Sequence, residues 1–440
     1  MIILGLLASM VISIFWSIQF WSAAGLLFSL YLFWDFTRKT GEIIPILELM
    51  VLISALQWII GPYIDYHNEV DHYKYKMYVP EDQYMAFAVP AVMALKVGMA
   101  MFPRRIYLSS IKASIKELLL NHPQLPYLLV GLGLLAPFLG GFFPPGLAFV
   151  FFLLGQVKYI GALYFVLSEH PQRWLIFSGL MALAVIGSMA SGMFHDLLLW
   201  LVLTASFILH ELKSSFWSKI VLMIIGAFLI ITIQSVKHQY RTLSPGVPGS
   251  VAKAGLFIKL ASEEWKGGKI INPADDNEIN VRLNQGWIIS KIMEHVPEKE
   301  PFANGATITE ALEAAFLPRI IAPGKKTAGG QENFRKYTGL PLGEGTSMGI
   351  SLAGEGWANF GHAGGIMFLF AWGLFSGWFW KKLGDWSSFF PTLLVWSPIL
   401  FLQTVKAETE LVVVLNHLIK SAVLVFGLLY FFYRFRGVRI

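Results

Sequence analysis

Apolar runs of about 17 to 25 residues recur along this chain, each long enough to cross about 30 Å of hydrocarbon as a helix. In hydrocarbon every backbone N–H and C=O must find its partner inside the protein, so runs of this kind dictate α-helices and exclude a water-soluble fold. A membrane barrel is excluded too, because its strands would alternate apolar and polar residues. Composition agrees: with 55% hydrophobic, 15% aromatic and 14% charged residues among 440, the chain is far more apolar than a soluble protein of that length. The sequence predicts an all-α polytopic membrane protein with about twelve transmembrane helices, placed at 2–15, 17–35, 43–61, 84–102, 125–142, 145–168, 174–192, 196–211, 218–235, 363–380, 387–404 and 411–432. From Met1 onward there is no basic n-region and no small-residue cleavage site, so the N-terminus reads as membrane helix rather than a removed signal.

Lys and Arg resist translocation and collect on the cytoplasmic side, which orients the spans. Arg38, Lys39, Arg104, Arg105, Lys112, Lys116, Arg173, Lys213, Lys219, Lys381, Lys382, Arg434, Arg436 and Arg439 all fall on one side. The acidic loop around Asp65 and Asp82, the turn at Asp196 and the loop with Glu408 and Glu410 fall on the other. Both termini are therefore expected in the cytoplasm. The net charge of +6 is a topology signal, and no basic face on a soluble module suggests nucleic acid as a partner.

One long polar stretch, roughly 236–358, breaks the pattern. It divides the chain into nine spans in 1–235, a large external segment in 236–362, and three spans with a basic tail in 363–440. The segment holds fourteen Lys and Arg against thirteen Asp and Glu, close enough to neutral to fold. Ser244 to Gly249 reads as the linker leaving the membrane; Val251–Trp265, Asp275–His295 and Thr307–Phe316 read as helices, the second opened by Asp275, Asp276 and Asn277. Tyr107–Leu120 is amphipathic and basic, as a helix lying on the cytoplasmic surface would be.

With no cysteine, thiol nucleophiles, thiolate metal sites and disulfides are excluded. The external segment instead offers cations: Lys237, His238 and Arg241 at the membrane exit, Arg282, Arg319 between two prolines, Lys325 and Lys326, and Arg335 with Lys336. Arginine's planar fork of donors matches phosphate oxygens and keeps its charge, so such a set at headgroup level suits a diphosphate clamp. The alternative is a set of solvated helix faces paired with the equally numerous carboxylates. His67 and His72 among acidic residues match no recurrent metal-ligand spacing, and Gly343–Gly349 lacks the flanking strand and the Lys-Ser/Thr of a nucleotide loop.

Several features together resemble the Wzy-type oligosaccharide repeat-unit polymerases, the O-antigen polymerase family related to the O-antigen ligases. They are the dozen spans with a late external segment, Arg-Leu-Asn-Gln-Gly from Arg282, Leu-Pro-Arg ending at Arg319 with Pro323 and Lys325 beyond, and Glu355 to Gly361 before the next span. The resemblance covers the span pattern and about residues 236–365. It implies a GT-C-like glycosyltransferase architecture, undecaprenyl-diphosphate-linked oligosaccharides as substrates at the periplasmic face, and a chain-length regulator as a further partner. No cofactor and no metal is implied. The growing glycan would move en bloc to a hydroxyl of an incoming lipid-linked unit, while preset guanidinium groups take up the charge that builds on the departing diphosphate. Arg241, Arg282 and Arg319 are the expected clamp, with Lys325, Lys326, His238 and Arg335 beside them. Glu355 or His362 is the expected base for the attacking hydroxyl; the structural alternatives are a bond from Glu355 to its glycine-rich surroundings and, for His362, a helix N-cap or an interfacial histidine. A ligase would use the same clamp with another acceptor. A flippase or exporter, the non-enzymatic alternative, would spread charge along a central cavity between similar halves, and no internal repeat is visible.

Ionisable groups inside spans need partners, since a lone charge at mid-membrane costs at least about 2.5 kcal/mol. Lys158, with Gln156 nearby, is expected either to line a pocket or to pair with Glu48. Lys96 and Lys420 are expected to snorkel to the span ends, and Asn416 and His417 to bond neighbouring helices.

Overall fold

A computed structural model describes all residues except 1–8, 11–12, 14–16, 69–74, 193, 267–282, 318–323, 325, 327–329 and 344–345. The described residues are helical, with no named strand. In chain order the helices are α1 Phe20–Lys39, α2 Ile46–Tyr66, α3 Glu81–Ala100, α4 Leu108–Asn121, α5 Leu125–Gly140, α6 Ala148–Leu167, α7 Arg173–Ser191, α8 His195–Glu211 and α9 Phe216–Leu243. Then come α10 Ser250–Lys266, α11 Gly286–His295, α12 Ala306–Phe316 and α13 Gln331–Thr338, followed by α14 Ser351–Trp386, α15 Ser397–Phe401 and α16 Leu411–Arg436.

Among the described residues, seven helices are long and apolar enough to cross a membrane, or eight if α4 and α5, bent by 95° to one another, are taken as one broken span. That is fewer than the twelve the hydropathy pattern suggests, and three parts of the pattern account for the difference. Most of 2–15 lies outside the described residues. Helices α1, α5 and α8 form where expected, but α1 is not apolar enough, and α5 and α8 are too short, to stand as spans alone. The third is 387–404, which is not a continuous helix: it runs as a 3-10 turn, Leu393–Trp396, and then the short α15. Every residue from 392 to 402 is buried, and irregular backbone at membrane depth is tolerated only under such protein cover.

The basic residues do gather at one end of the bundle. His210 bonds the Gly41 carbonyl (2.8 Å), Leu108 N–H reaches the Glu42 carbonyl (2.9 Å), Lys112 and Arg173 share Glu211, and Arg104 pairs with Asp385 (2.9 Å). Helix α4 lies across this end as its amphipathic pattern predicts, burying Leu108, Ile111 and Ile115.

The long polar segment docks at the opposite end. A π turn at Leu56–Ile60 widens α2, and the Gln57 carbonyl there accepts from the Gln285 N–H (3.1 Å). Asn284, fully buried, caps α11 by accepting from Trp287 N–H (3.1 Å). Gly286 lies so close to Tyr84 and Pro62 that a Cβ there would sit 2.1 Å from the Tyr84 hydroxyl. The Leu-Asn-Gln-Gly that follows Arg282 is thus an anchoring stretch; the residues proposed to open its helix, Asp275, Asp276 and Asn277, lie outside the described residues, and α11 begins only at Gly286.

Helices α3 and α14 approach one another closely. Gly98 and Gly373 face each other's backbones: a Cβ at Gly373 would fall 2.3 Å from the Leu95 carbonyl oxygen, and one at Gly377 would fall 2.6 Å from that of Met99. Small residues let helices approach closely in lipid, where dispersion contacts replace the hydrophobic effect as the driving force. Helix α14 breaks at Gly361, whose φ of 65° and ψ of −156° suit glycine, and the Phe302 ring fills the space where a side chain would go. Gly373→Leu is expected to destabilise the protein by at least about 1–3 kcal/mol through overpacking. Thermal unfolding in detergent would register this as a lowered Tm, while Gly427→Ala, with open space around it, should leave Tm unchanged or slightly raised.

Candidate functional site

Where α12, α13, α14 and the start of α16 meet, they enclose a polar node. Glu355, one turn into α14, is 1% exposed and forms no ion pair among the described residues. Its two oxygens are instead held by two neutral donors: the Thr307 hydroxyl at 2.7 Å and the Leu411 N–H at 2.7 Å. Asn359, on the same face of α14, donates to Thr307 Oγ1 (2.8 Å) and to the Glu355 carbonyl (2.8 Å), and its side-chain oxygen accepts from Gly305 N–H (2.9 Å). The Leu411 N–H is one of the unpaired donors at the start of α16, so Glu355 both caps that helix and faces its positive end.

A second carboxylate, Glu410, lies beside the first. Its Oε2 accepts from Asn333 (3.0 Å), and Asn333 in turn accepts from Lys326 (2.6 Å), which also pairs with Glu310 (2.6 Å). Burial holds the Glu410 carboxyl above the ordinary glutamate range, an effect the Asn333 amide and nearby Lys326 only partly offset. Its Oε1 is buried without a hydrogen-bond partner among the described residues.

His362 follows the Gly361 break and is exposed, with its ring edge-on to Trp357 and near Phe87. Its Nε2 lies 3.2 Å from the Ala86 carbonyl. A carbonyl only accepts, so Nε2 carries the proton and Nδ1 is left as the basic nitrogen. His362 opens the second half of α14, just past the break, and its ring bonds the Ala86 carbonyl of α3 rather than a helix N–H.

The structure draws the sequence-based candidates together only in part. Lys326 and Glu355 share the node, and His362 lies seven residues beyond Glu355 on the far side of the break. Arg335, on α13, donates to the Leu342 carbonyl, with its side chain exposed. Arg241 ends α9 and reaches the Gly192 carbonyl (3.2 Å), next to a separate small core of Phe194, Val236, Tyr240, Phe257 and Leu260. Arg282, Arg319 and Lys325 lie outside the described residues, as does the side chain of His238. Thr307, Asn333, Asn359 and Glu410 were not singled out by the sequence. The available signals were slight: Asn359 stands one turn from Glu355, and Glu410 is an acid immediately before an apolar helix.

Within the bundle, the pairing of Glu48 with Lys158 is not formed. Glu48 bonds Lys39 (2.8 Å), while Lys158 borders a cavity of about 330 Å³ with Gln156, Phe151 and Phe152, its Nζ 5.1 Å from the Tyr159 ring. Lys96 does not snorkel free but pairs with Asp35 (3.2 Å). His417 bonds the Ile399 carbonyl (2.8 Å), as expected of a polar residue facing another segment. His67 bonds the Tyr63 carbonyl (2.9 Å), and His72 lies outside the described residues.

No family model, no curated protein and no solved structure matches the chain.

Glu355→Ala would leave the Thr307 hydroxyl and the Leu411 N–H unpaired in the interior, at a cost of about 1–3 kcal/mol each at most; a clear fall in Tm in detergent is the expected result. Because the Glu410 value is raised on folding, its contribution is complete below the unfolded value and is lost as pH rises through the folded one. Glu410→Gln should therefore flatten the decline of Tm with pH across that interval, which thermal melts at a series of pH values would reveal.

Proposed function

We propose that this chain is a membrane-embedded glycosyltransferase of the oligosaccharide repeat-unit polymerase type. It transfers an undecaprenyl-diphosphate-linked glycan en bloc onto a lipid-linked repeat unit at the outer face of a bacterial inner membrane. The observation that carries this reading is His362: an exposed imidazole whose tautomer is fixed by the Ala86 carbonyl, at the mouth of the bundle where the external segment docks. Nδ1 takes the proton of the acceptor hydroxyl as that oxygen bonds to the anomeric carbon. The bond from the anomeric carbon to the diphosphate oxygen breaks, and the electron pair leaves with undecaprenyl diphosphate.

In this reading the departing charge is met by Arg241, Arg282 and Arg319. Lys326 is engaged by Glu310 and Asn333, and Glu355 by Thr307 and the start of α16, so both act as positioning residues for the docked segment. A ligase acting on the same donor differs only in its acceptor.

Purified protein given a defined lipid-linked repeat unit, without added metal, should build long glycan. His362→Gln should slow this by about 10²–10⁴-fold while the protein still accumulates in the membrane; an unchanged rate would remove the histidine from the chemistry. Arg241→Ala, Arg282→Ala and Arg319→Ala should each abolish long chains, and normal chain lengths in all three would dispose of the clamp. Deletion in cells should leave single repeat units on lipid at the outer face, whereas nothing at the outer face would indicate an exporter.

A further inference from the structure

At the end of the bundle opposite the docked segment, helices α1, α2, α3 and α14 enclose a second cavity, of about 290 Å³. The lining is partly apolar, with Ile44, Leu47, Met99 and Trp380, and partly charged. Asp35, 4% exposed, is held by Lys39 (2.8 Å) and Lys96 (3.2 Å), and Lys39 also reaches Glu48 (2.8 Å). These four groups balance one another, two cations against two carboxylates. Arg104 and Arg105 complete the lining. Arg104 is paired with Asp385 (2.9 Å) and bonded to the Gly384 carbonyl, so Arg105 remains as an exposed guanidinium in no ion pair among the described residues. The lining thus carries an excess of two positive charges, or one once Asp385 is counted.

We infer that this cavity binds a phosphate-bearing anion, with the Arg105 guanidinium as its principal contact and Lys96 and Lys39 as the charged floor. A guanidinium presents paired donors that match two phosphate oxygens, and a basic pocket between membrane helices is a recognised setting for anionic headgroups. The volume lies at the low end of the range for small-molecule pockets, about 300–1,000 Å³, so it admits a headgroup and not a whole lipid. Its apolar lining suits the glycerol and first methylenes of a phospholipid, while a soluble phosphate would use the charged residues alone. The carboxylates Asp35 and Glu48 keep the lysines in place and are not free to repel the guest, because each already accepts from a lysine.

The test is the thermal stability of detergent-purified full-length protein titrated with phosphatidylglycerol, with phosphatidylcholine, or with inorganic phosphate. Phosphatidylglycerol should raise Tm in a saturable manner where phosphatidylcholine does not, and Arg105→Glu, an exposed change outside the ion network, should abolish that difference without lowering the Tm of the lipid-free protein. A shift with inorganic phosphate that is likewise lost in Arg105→Glu would uphold the anion site and make the source a soluble phosphate. Equal shifts with both lipids and none with phosphate would overturn the inference, as would an undiminished preference for phosphatidylglycerol in Arg105→Glu.

Discussion

A buried carboxylate ties the docked segment to two helices of the bundle. Glu355 accepts from Thr307 of α12 and from the first N–H of α16, so three stretches far apart in sequence meet on one side chain. A carboxylate removed from water and lacking a cation is stable only when donors occupy its oxygens, and here the donors are a hydroxyl and a helix start. The neighbouring chain from Lys326 through Asn333 to Glu410 extends the same arrangement, leaving one Glu410 oxygen unsatisfied among the described residues. An arrangement of this kind is costly to break on one side alone, and it gives the docked segment a defined position relative to the break at Gly361 and to His362.

The other condition is steric. Because α3 and α14 touch at Gly98, Gly373 and Gly377, the Ala86 carbonyl of one helix is brought to the imidazole of the other. The close pair runs the length of the bundle, from the docked segment to the cavity lined by Trp380 and Arg105. The two ends differ in chemistry: lysines and arginines paired with carboxylates at one, and two buried glutamates held by neutral donors at the other.

The helical architecture was legible because lipid leaves the backbone no alternative to helix, and long apolar runs say so directly. The segment 387–404 misled because hydropathy registers apolar length and not continuity: its residues are buried in protein, and a 3-10 turn and a short helix serve there as well as one long helix would. The amphipathic α4 was legible from periodicity alone. The node was not, since its partners are 48, 56 and 77 residues apart and no local pattern links Thr307, Asn333 or Leu411 to the carboxylates they bond. Glu355 was visible as an acid in a glycine-rich entry to a span, but its chemistry was not: the sequence allowed a base, and the structure shows both oxygens occupied. Pairing of charges inside the bundle was misjudged for a related reason, as Asp35, within the first described helix, is the partner that Lys96 finds.

The central claim is that the docked segment and the basic end lie on opposite faces of the membrane, with the segment outside. The chain has no cysteine, so single cysteines can be introduced without altering any native thiol. Lys336→Cys, on an exposed turn of α13, and Lys213→Cys, exposed beyond α8, would be treated in intact cells with a membrane-impermeant maleimide. Labelling at 336 in intact cells, with labelling at 213 only after permeabilisation, is the expected result; labelling at 213 in intact cells, or protection of 336 until the membrane is opened, would contradict the account.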